Sequence, residues 1–482
     1  MAAAAGVAAW ATAWRKGDPR RVNDMHSLLN ATEVAEVVRP RSYRELAGKV
    51  EEHARAGRAL AISGSRHAMG GQQFATGETL IDMRGLNRVL DMDLERGVVH
   101  AEAGIEWPEL LAFLHRAQRG REAVWTIPTK QGGADRLTLG GAIAANAHGR
   151  TLTCAPMGEG IESLTLIGPN GSPVRCDRDE NPERFALAIG GYGLFGPVYS
   201  AKLRLVRRHK VRRVVSEVRR ENVMAAFAER IAEGFTLGDW QFAIDERSDD
   251  FLDTGVFSCY RPVSDDTPIP HGQKKIPRRA WSELVYLAHT DKSRAYRLYR
   301  DYYLSSTGQV YWNDTSQMAG YLDGYHAALD RRMGARCPAS EVITELYVPR
   351  DRFADFMADV AATIRSHGAS VIYGTVRLIE KDETSFLRWA REPFACVIFN
   401  LHVEHSELGI EGAKRAFRAL NDLALARGGT FFLTYHRWAA REQVEAGYPM
   451  LREFLERKRA YDPDERFQSD WYRHLKREFG MV

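Results

Sequence analysis

Cysteine is scarce in this chain: 482 residues hold five, Cys154, Cys176, Cys259, Cys337 and Cys396, with no Cys-x-x-Cys pair among them. A sparse, odd and widely spaced set argues against a zinc site and a disulfide framework, and it favours free thiols in a reducing compartment. An excess of one charge sign is also missing, since 67 basic residues face 63 acidic ones for a net charge of +4. That balance excludes the broad positive field of a nucleic-acid binder. The local clusters Arg207-Arg208-His209-Lys210 and Arg212-Arg213 read as solvated strand ends. No apolar run is long enough to span a bilayer. Residues 2 to 13 are Ala-rich with no basic segment before them, which reads as a frayed or loosely docked helix. Cytoplasm is the default location, a cleaved leader the alternative. Internal repeats and low-complexity linkers are absent as well.

What remains is an ordinary globular composition, 44% hydrophobic and 27% charged, at a length that suits three domains or two large ones. Glycine is where the sequence is unusual. Ser63-Gly64-Ser65-Arg66-His67-Ala68-Met69-Gly70-Gly71-Gln72 follows the apolar run Leu60-Ala61-Ile62. Small residues there let backbone N–H groups approach an anion such as a diphosphate, although the same residues also suit a plain turn. Thr138-Leu139-Gly140-Gly141-Ala142 leads on to Asn146-Ala147-His148-Gly149, and Gly190-Gly191-Tyr192-Gly193-Leu194-Phe195-Gly196 forms a third cluster. Three such clusters, each beside a short apolar run, point to one extended ligand lying along several loops.

In that order and at those separations, the clusters resemble the flavoproteins of the p-cresol methylhydroxylase or vanillyl-alcohol oxidase type, with alditol oxidase, gulonolactone oxidase and decaprenylphosphoryl ribose oxidase nearest in motif. The resemblance covers about residues 35 to 206, plus Asp462-Pro463 and Phe467-Gln468-Ser469-Asp470. It implies an α+β fold: a two-part FAD-binding domain with an inserted substrate domain, an antiparallel sheet backed by helices. The divisions expected are 1–206 for FAD binding, 207–440 for substrate, and 441–482 returning onto the FAD domain. It further implies that Ser63, Gly64, Ser65 and Arg66 cradle the diphosphate with Ala68 and Gln72 beside them. Thr138, Gly140, Gly141, Asn146, His148 and Gly149 would follow the cofactor, and Gly193, Gly196 and Val198 would border it by backbone. His67 stands where relatives bond covalently to the flavin; a histidine that only packs near the ring is the alternative. A second, cysteinyl link is not expected, because the matching turn reads Asp135-Arg136-Leu137-Thr138.

In the second half the residue pattern gives helices over Ala225 to Phe235, Ala280 to Tyr303, Phe353 to His367 and Ile410 to Arg427. It gives strands over Val256 to Tyr260, Glu341 to Val348, Val371 to Leu378, Cys396 to Val403 and Phe431 to Tyr435. Such a run suits a sheet with one face open to a ligand and helices on the other. The segment Pro262 to Lys275 is a candidate mobile loop. Alternation puts Glu345, Tyr347 and Pro349 on one strand face. By the resemblance, Glu345 and Tyr347 belong to the pocket strand, Arg377 to a basic strand position, and His148 lies near the flavin ring. Tyr435-His436-Arg437 falls where relatives carry a pocket lysine or histidine, which nominates His436, then Tyr435, as the proton acceptor.

The expectation is an FAD-dependent oxidoreductase without a metal. It would move a hydride from an alcohol carbon of a polyol, sugar or related substrate to the flavin, with oxygen or another acceptor completing the cycle. A flavin dehydrogenase of a lipid-linked sugar and a non-catalytic flavin-binding protein are the rivals.

Overall fold

The computed structural model describes residues 18–318 and 324–481; the Ala-rich stretch at 2 to 13 lies outside them. After a short antiparallel pairing of Arg21–Val22 with Thr32–Glu33 come β1 (Glu36–Val38), α1 (Tyr43–Arg55), β2 (Leu60–Ser63) and β3 (Thr79–Asp82), whose strands form a parallel three-stranded sheet in the order β1-β3-β2. Ser42 caps α1 by accepting from the Glu45 N–H at 3.2 Å. Leu46 and Val50 on its inner face pack against Leu60 and Ile81.

Next come β4 (Val89–Asp93), β5 (Val98–Glu102), α2 (Trp107–Ala117), α3 (Leu139–Ala145), β6 (Ile161–Ile167), β7 (Pro173–Asp177) and β8 (Val198–Arg204). Their strands make an antiparallel five-stranded sheet in the order β7-β6-β8-β5-β4. The Asn170-Gly171 turn joins β6 and β7 as a hairpin, with Gly171 at φ 84°.

The second module holds β9 (Lys210–Arg219), α4 (Val223–Ala232), β10 (Leu237–Phe242), β11 (Thr254–Val263), α5 (Arg278–Thr290), α6 (Lys292–Leu304), β12 (Val310–Trp312), β13 (Ala339–Pro349), α7 (Phe353–His367), β14 (Ser370–Ile379), β15 (Phe394–Glu404), α8 (Glu407–Leu425) and β16 (Thr430–Phe431). Its eight-stranded antiparallel sheet runs β12-β9-β11-β10-β14-β15-β13-β16. Helices α7 and α8 cover one face, with Phe356, Val360, Ile364 and Leu420 in the core. The opposite face has a cover of its own, α5 and α6, where the sequence suggested an open surface.

Three further expectations shift. The helical region over Ala280 to Tyr303 is two helices, because Asp291 ends α5 and then caps α6 by accepting from the Arg294 N–H at 3.1 Å. The strand over Phe431 to Tyr435 is confined to β16, after which the chain turns away. Arg213 is no solvated strand end: it is buried and donates to the Tyr260 hydroxyl at 2.8 Å and to Ser306 at 3.0 Å, while Arg208 pairs with Asp314 at 2.6 Å.

After β16 the chain returns to the first module. Leu60 N–H donates to Arg466 O at 2.7 Å and Gln468 N–H to Leu60 O at 2.8 Å, adding the end of the chain beside β2. Phe467 fills the space between α1 and β2, and Asp470 accepts from Thr76 at 2.8 Å.

Candidate active site

One cavity of about 540 Å³ runs from the glycine loops of the first module to the sheet of the second. At its first end lie Ser63, Gly64, Ser65, Arg66, His67, Ala68 and Gln72, which follow β2 directly. Gly64 is there by necessity: a Cβ would stand 2.1 Å from Thr138 Oγ1, so the two loops meet only because the side chain is absent. Thr138 caps α3 through Gly141 N–H at 3.2 Å, and Thr138, Gly140 and Gly141 all face the cavity. Gly193, Gly196 and Val198 form its third edge, with Gly196 at φ 114°, a conformation open to glycine.

This end is rich in arginine. Arg39 and Arg84 both bind Asp82, at 2.7 and 2.6 Å, and Arg66 brings a third guanidinium to the same corner. Burial, then repulsion from Arg84 and Arg39 against the pull of Asp82, lowers the Arg66 guanidinium from its ordinary value. Among the described residues its buried Nε has no hydrogen-bond partner. The Arg66 guanidinium on the cavity wall and backbone exposed by glycine fit the diphosphate of a dinucleotide, with Glu106, which accepts from Ser65 at 2.8 Å, as a second carboxylate beside Asp82. His67 also lines the cavity; its Nε2 lies 2.9 Å from Arg136 O and its Nδ1 2.8 Å from His26 Nε2. A carbonyl accepts only, so the Nε2 position carries the proton of a neutral ring and Nδ1 keeps its lone pair.

The opposite end centres on Glu345 of β13. One carboxylate oxygen accepts from His148 Nε2, from the Tyr347 hydroxyl and from Cys396 Sγ at 3.3 Å, and the other accepts from the Tyr435 hydroxyl at 3.0 Å. Burial opposes its charge, but the attraction of His148 and these hydrogen bonds outweigh burial and hold the carboxyl down to about 2. Burial, reinforced by that carboxylate, pushes the Tyr347, Cys396 and Tyr435 groups up, so each stays a donor. His148 reaches the cluster from the end of α3, and its Nδ1 faces Gly149 O at 3.2 Å. Both of its ring nitrogens therefore meet acceptors.

Arg377 of β14 enters beside this cluster. Its guanidinium lies against Gly132, where a Cβ would come within 2.1 Å of Nη2, and its buried Nε has no hydrogen-bond partner among the described residues. Four expected residues sit elsewhere. Asn146 adopts φ 47° at the end of α3 and donates to Asp382 at 2.8 Å while accepting from Gly158 N–H, which locks the loop instead of facing the cavity. Gly149 packs on Thr129 and Lys130. Tyr347 stands behind Glu345, stacked on Trp389 at 4.4 Å. His436 turns away, stacks on Trp438 at 4.0 Å and is pushed down to about 4 by burial. The break after β16 aims Tyr435 inward and His436 outward.

Other lining residues were not singled out from the sequence. Lys130 is buried, pairs with Asp135 at 2.9 Å, and is lowered mainly by burial. Asp239 and Gln241 of β10 face the cavity, as does Glu341, four residues before Glu345 on the same strand face. Burial raises Glu341 to about 7 against the hydrogen bond from Asn400 at 2.9 Å. The alternation that singled out Glu345 also placed Glu341 on that face, and that signal went unused. Among the described residues no helix is long and apolar enough to cross a membrane.

Comparison with known proteins agrees with this geometry. Residues 34–177 match the protein family described as FAD binding domain. The chain is 30% identical over 175 residues to an uncharacterized oxidoreductase of the fasciation locus of Rhodococcoides fascians, covering 36% of this chain and 38% of that protein. It is 28% identical over 183 residues to an L-gulono-1,4-lactone dehydrogenase of Mycobacterium tuberculosis, covering 38% and 41%. With the L-gulonolactone oxidase of Bos taurus it shares 31% over 127 residues, 26% and 27% of the two chains. The match thus spans about two fifths of the length of the first relatives.

Proposed function

From the FAD-binding domain of the p-cresol methylhydroxylase type that this chain carries, we propose an FAD-dependent oxidoreductase acting on a CH–OH carbon of a polyol, sugar or sugar lactone. The observation that carries the reading is a single cavity joining the glycine cradle to the Glu345 cluster. Ser63 to Arg66, Thr138 to Gly141 and Gly193 to Val198 would hold FAD, and His67 is the assigned point of covalent attachment. When bound, FAD supplies the acceptor for the hydride.

The protein's own part is positioning and proton transfer. Glu345, fixed by four donors, presents a permanent negative charge that holds His148 and Tyr435 in place at the cavity wall. Arg377 offers an uncommitted guanidinium to a developing alkoxide. A carboxyl held near 2 is a weak base, and His436 does not reach the cavity. Glu341 lines the cavity on the same strand face, accepts from Asn400 and from the Tyr325 hydroxyl, and is raised to about 7 by burial, and proton acceptance is assigned to it. Lactone relatives of both dehydrogenase and oxidase type support the substrate class.

Anaerobic mixing of the FAD-loaded protein with a panel of polyols, sugars and aldonolactones tests the reading. Bleaching of the flavin absorbance by at least one member is expected; a flavin bleached by dithionite alone would leave only a binding protein. Oxygen is the assigned final acceptor, and turnover with a dye but without oxygen consumption would assign a dehydrogenase instead. Acid precipitation tests His67, since colour that leaves with the supernatant excludes the covalent bond.

A further inference from the structure

Beyond Arg377 the cavity continues over β10, into a region that neither the glycine cradle nor the Glu345 cluster uses. Asp239 is buried, 3% exposed, and faces this region. One of its carboxylate oxygens accepts from Gln241 Nε2 at 3.1 Å and stands 3.9 Å from Arg150 Nη1. The other, Oδ1, has no hydrogen-bond partner among the described residues, and neither has Gln241 Oε1 two positions along the strand. A buried carboxylate oxygen and a buried amide oxygen left bare on one face each carry a desolvation cost that a donor would relieve. Both are acceptors, and the buried hydroxyls of Ser258, Thr375 and Tyr299 beside them are equally without hydrogen-bond partners among the described residues, so the patch suits a ligand whose groups both donate and accept. Tyr299 and Tyr303 of α6, their rings stacked at 4.3 Å, line the same region together with Tyr373 of β14. Aromatic faces beside bare acceptors suit a sugar ring, which offers C–H groups on its face and hydroxyls at its edge.

The sheet fixes how far this region lies from Glu345, with Arg377 standing between the two, opposite Asp239 in register. β10 and β13 are separated by β14 and β15, three strand spacings or about 14 Å. A single sugar ring does not bridge Asp239 and Glu345. We propose that the Asp239 and Gln241 face is a second subsite, built for the hydroxyls of an additional sugar unit, so that the preferred substrate is a glycoside or oligosaccharide with its oxidised carbon at Glu345. This rests on the oxidoreductase reading for the position of the reacting carbon, and on the orphaned acceptors alone for the subsite.

The test titrates the FAD-loaded protein with D-glucitol and with its glucoside maltitol, by calorimetry, alongside the Asp239→Asn and Gln241→Leu variants. The wild type is expected to bind maltitol about tenfold or more tighter than glucitol, the scale of a hydrogen bond to a charged group. Each variant should bring that ratio to within about threefold. If Asp239→Asn fails to fold, judged by its melting curve, Gln241→Leu carries the test alone. Equal affinities in the wild type, no binding of either ligand, or a preference that survives in a folded variant would overturn the subsite. Anaerobic bleaching separates the two proposals: glucitol that bleaches the flavin without any preference for maltitol leaves the oxidoreductase standing and removes the subsite. Maltitol bound through Asp239 without bleaching by either sugar does the reverse.

Discussion

The two ends of the cavity are made of different atoms. In the first module the working surface is backbone, exposed because Gly64, Gly140, Gly193 and Gly196 have no Cβ and because short strands deliver each loop in turn. In the second it is side chains, Glu341, Glu345, Arg377 and Asp239, projected from strands that lie side by side in space and far apart in sequence. A backbone site tolerates almost any change that keeps the path of the chain, yet fails when a methyl group is added. A side-chain site is the opposite, indifferent to small steric changes and sensitive to charge.

The sharpest way to break this contrast is Gly64→Val. The added carbons meet Thr138 at 2.1 Å, and the variant is expected to lose bound flavin altogether while keeping a wild-type circular dichroism spectrum. Retained yellow colour would mean the cradle does not depend on the close approach.

Glu345→Gln should come next in size. It replaces the carboxylate shared by four buried donors with a neutral amide, at a cost of about 3 kcal/mol in denaturant unfolding, the upper scale for leaving buried groups of a charged hydrogen-bond network unsatisfied. A change below about 1 kcal/mol, as for a surface pair, would dissolve the cluster as an electrostatic unit.

A comparable loss is expected on acidification of the second module. Burial, with added repulsion from neighbouring histidines, pushes His326 down to about 4, and burial likewise pushes His289 to about 4. Their depressed folded values mean the unfolded chain takes up protons first, so the histidines' contribution to stability falls as pH drops from about 6.5 toward 4, against the opposite contribution of Glu341, whose raised value favours the folded state as pH drops from about 7 toward 4.5. His326 alone accounts for up to about 3 kcal/mol. Thermal melts of the Glu341→Gln variant at pH 7, 5.5 and 4, where the opposing carboxyl is gone, check this; a flat profile there would show the histidines to be solvated.

Glu341→Gln probes chemistry rather than folding. The acidic limb near pH 7 in the rate of flavin reduction should vanish, with the rate lowered by about a hundredfold at high pH, the lower range for a general base. Smallest is His436→Ala, for which kcat/KM should stay within about threefold because the ring stacks on Trp438 outside the cavity. A large loss would return His436 to the chemistry.

The same contrast explains what was legible in the sequence. Glycine announces a backbone site locally, so the loops at Gly64, Gly140 and Gly193 could be picked out and set in order before any fold was known. Strand alternation put Glu345 on the face that lines the cavity and would have given Glu341 as well. Asp239 and Arg150 were not singled out: Asp239 and Gln241 alternate with Trp240 and Phe242, a signal that went unused, and only the register of β10 on β14 brings Asp239 alongside Arg377. Asn146 misled for a physical reason, because an amide following the Gly140-Gly141 turn looks like a ligand contact, whereas at φ 47° its side chain locks the loop to Asp382. Arg213 misled similarly, since a run of arginines looks solvated until Tyr260 and Ser306 are folded around one of them.

The central claim is that the glycine cradle and the Glu345 cluster serve one reaction in one cavity, and stopped-flow reduction of FAD-loaded Glu345→Gln by a bleaching substrate tests it most directly. The variant is expected to keep its flavin, because the cradle is untouched, and to be reduced about a hundredfold or more slowly than the wild type. Reduction at the wild-type rate with full flavin content would show that the two ends of the cavity are neighbours without a shared chemistry.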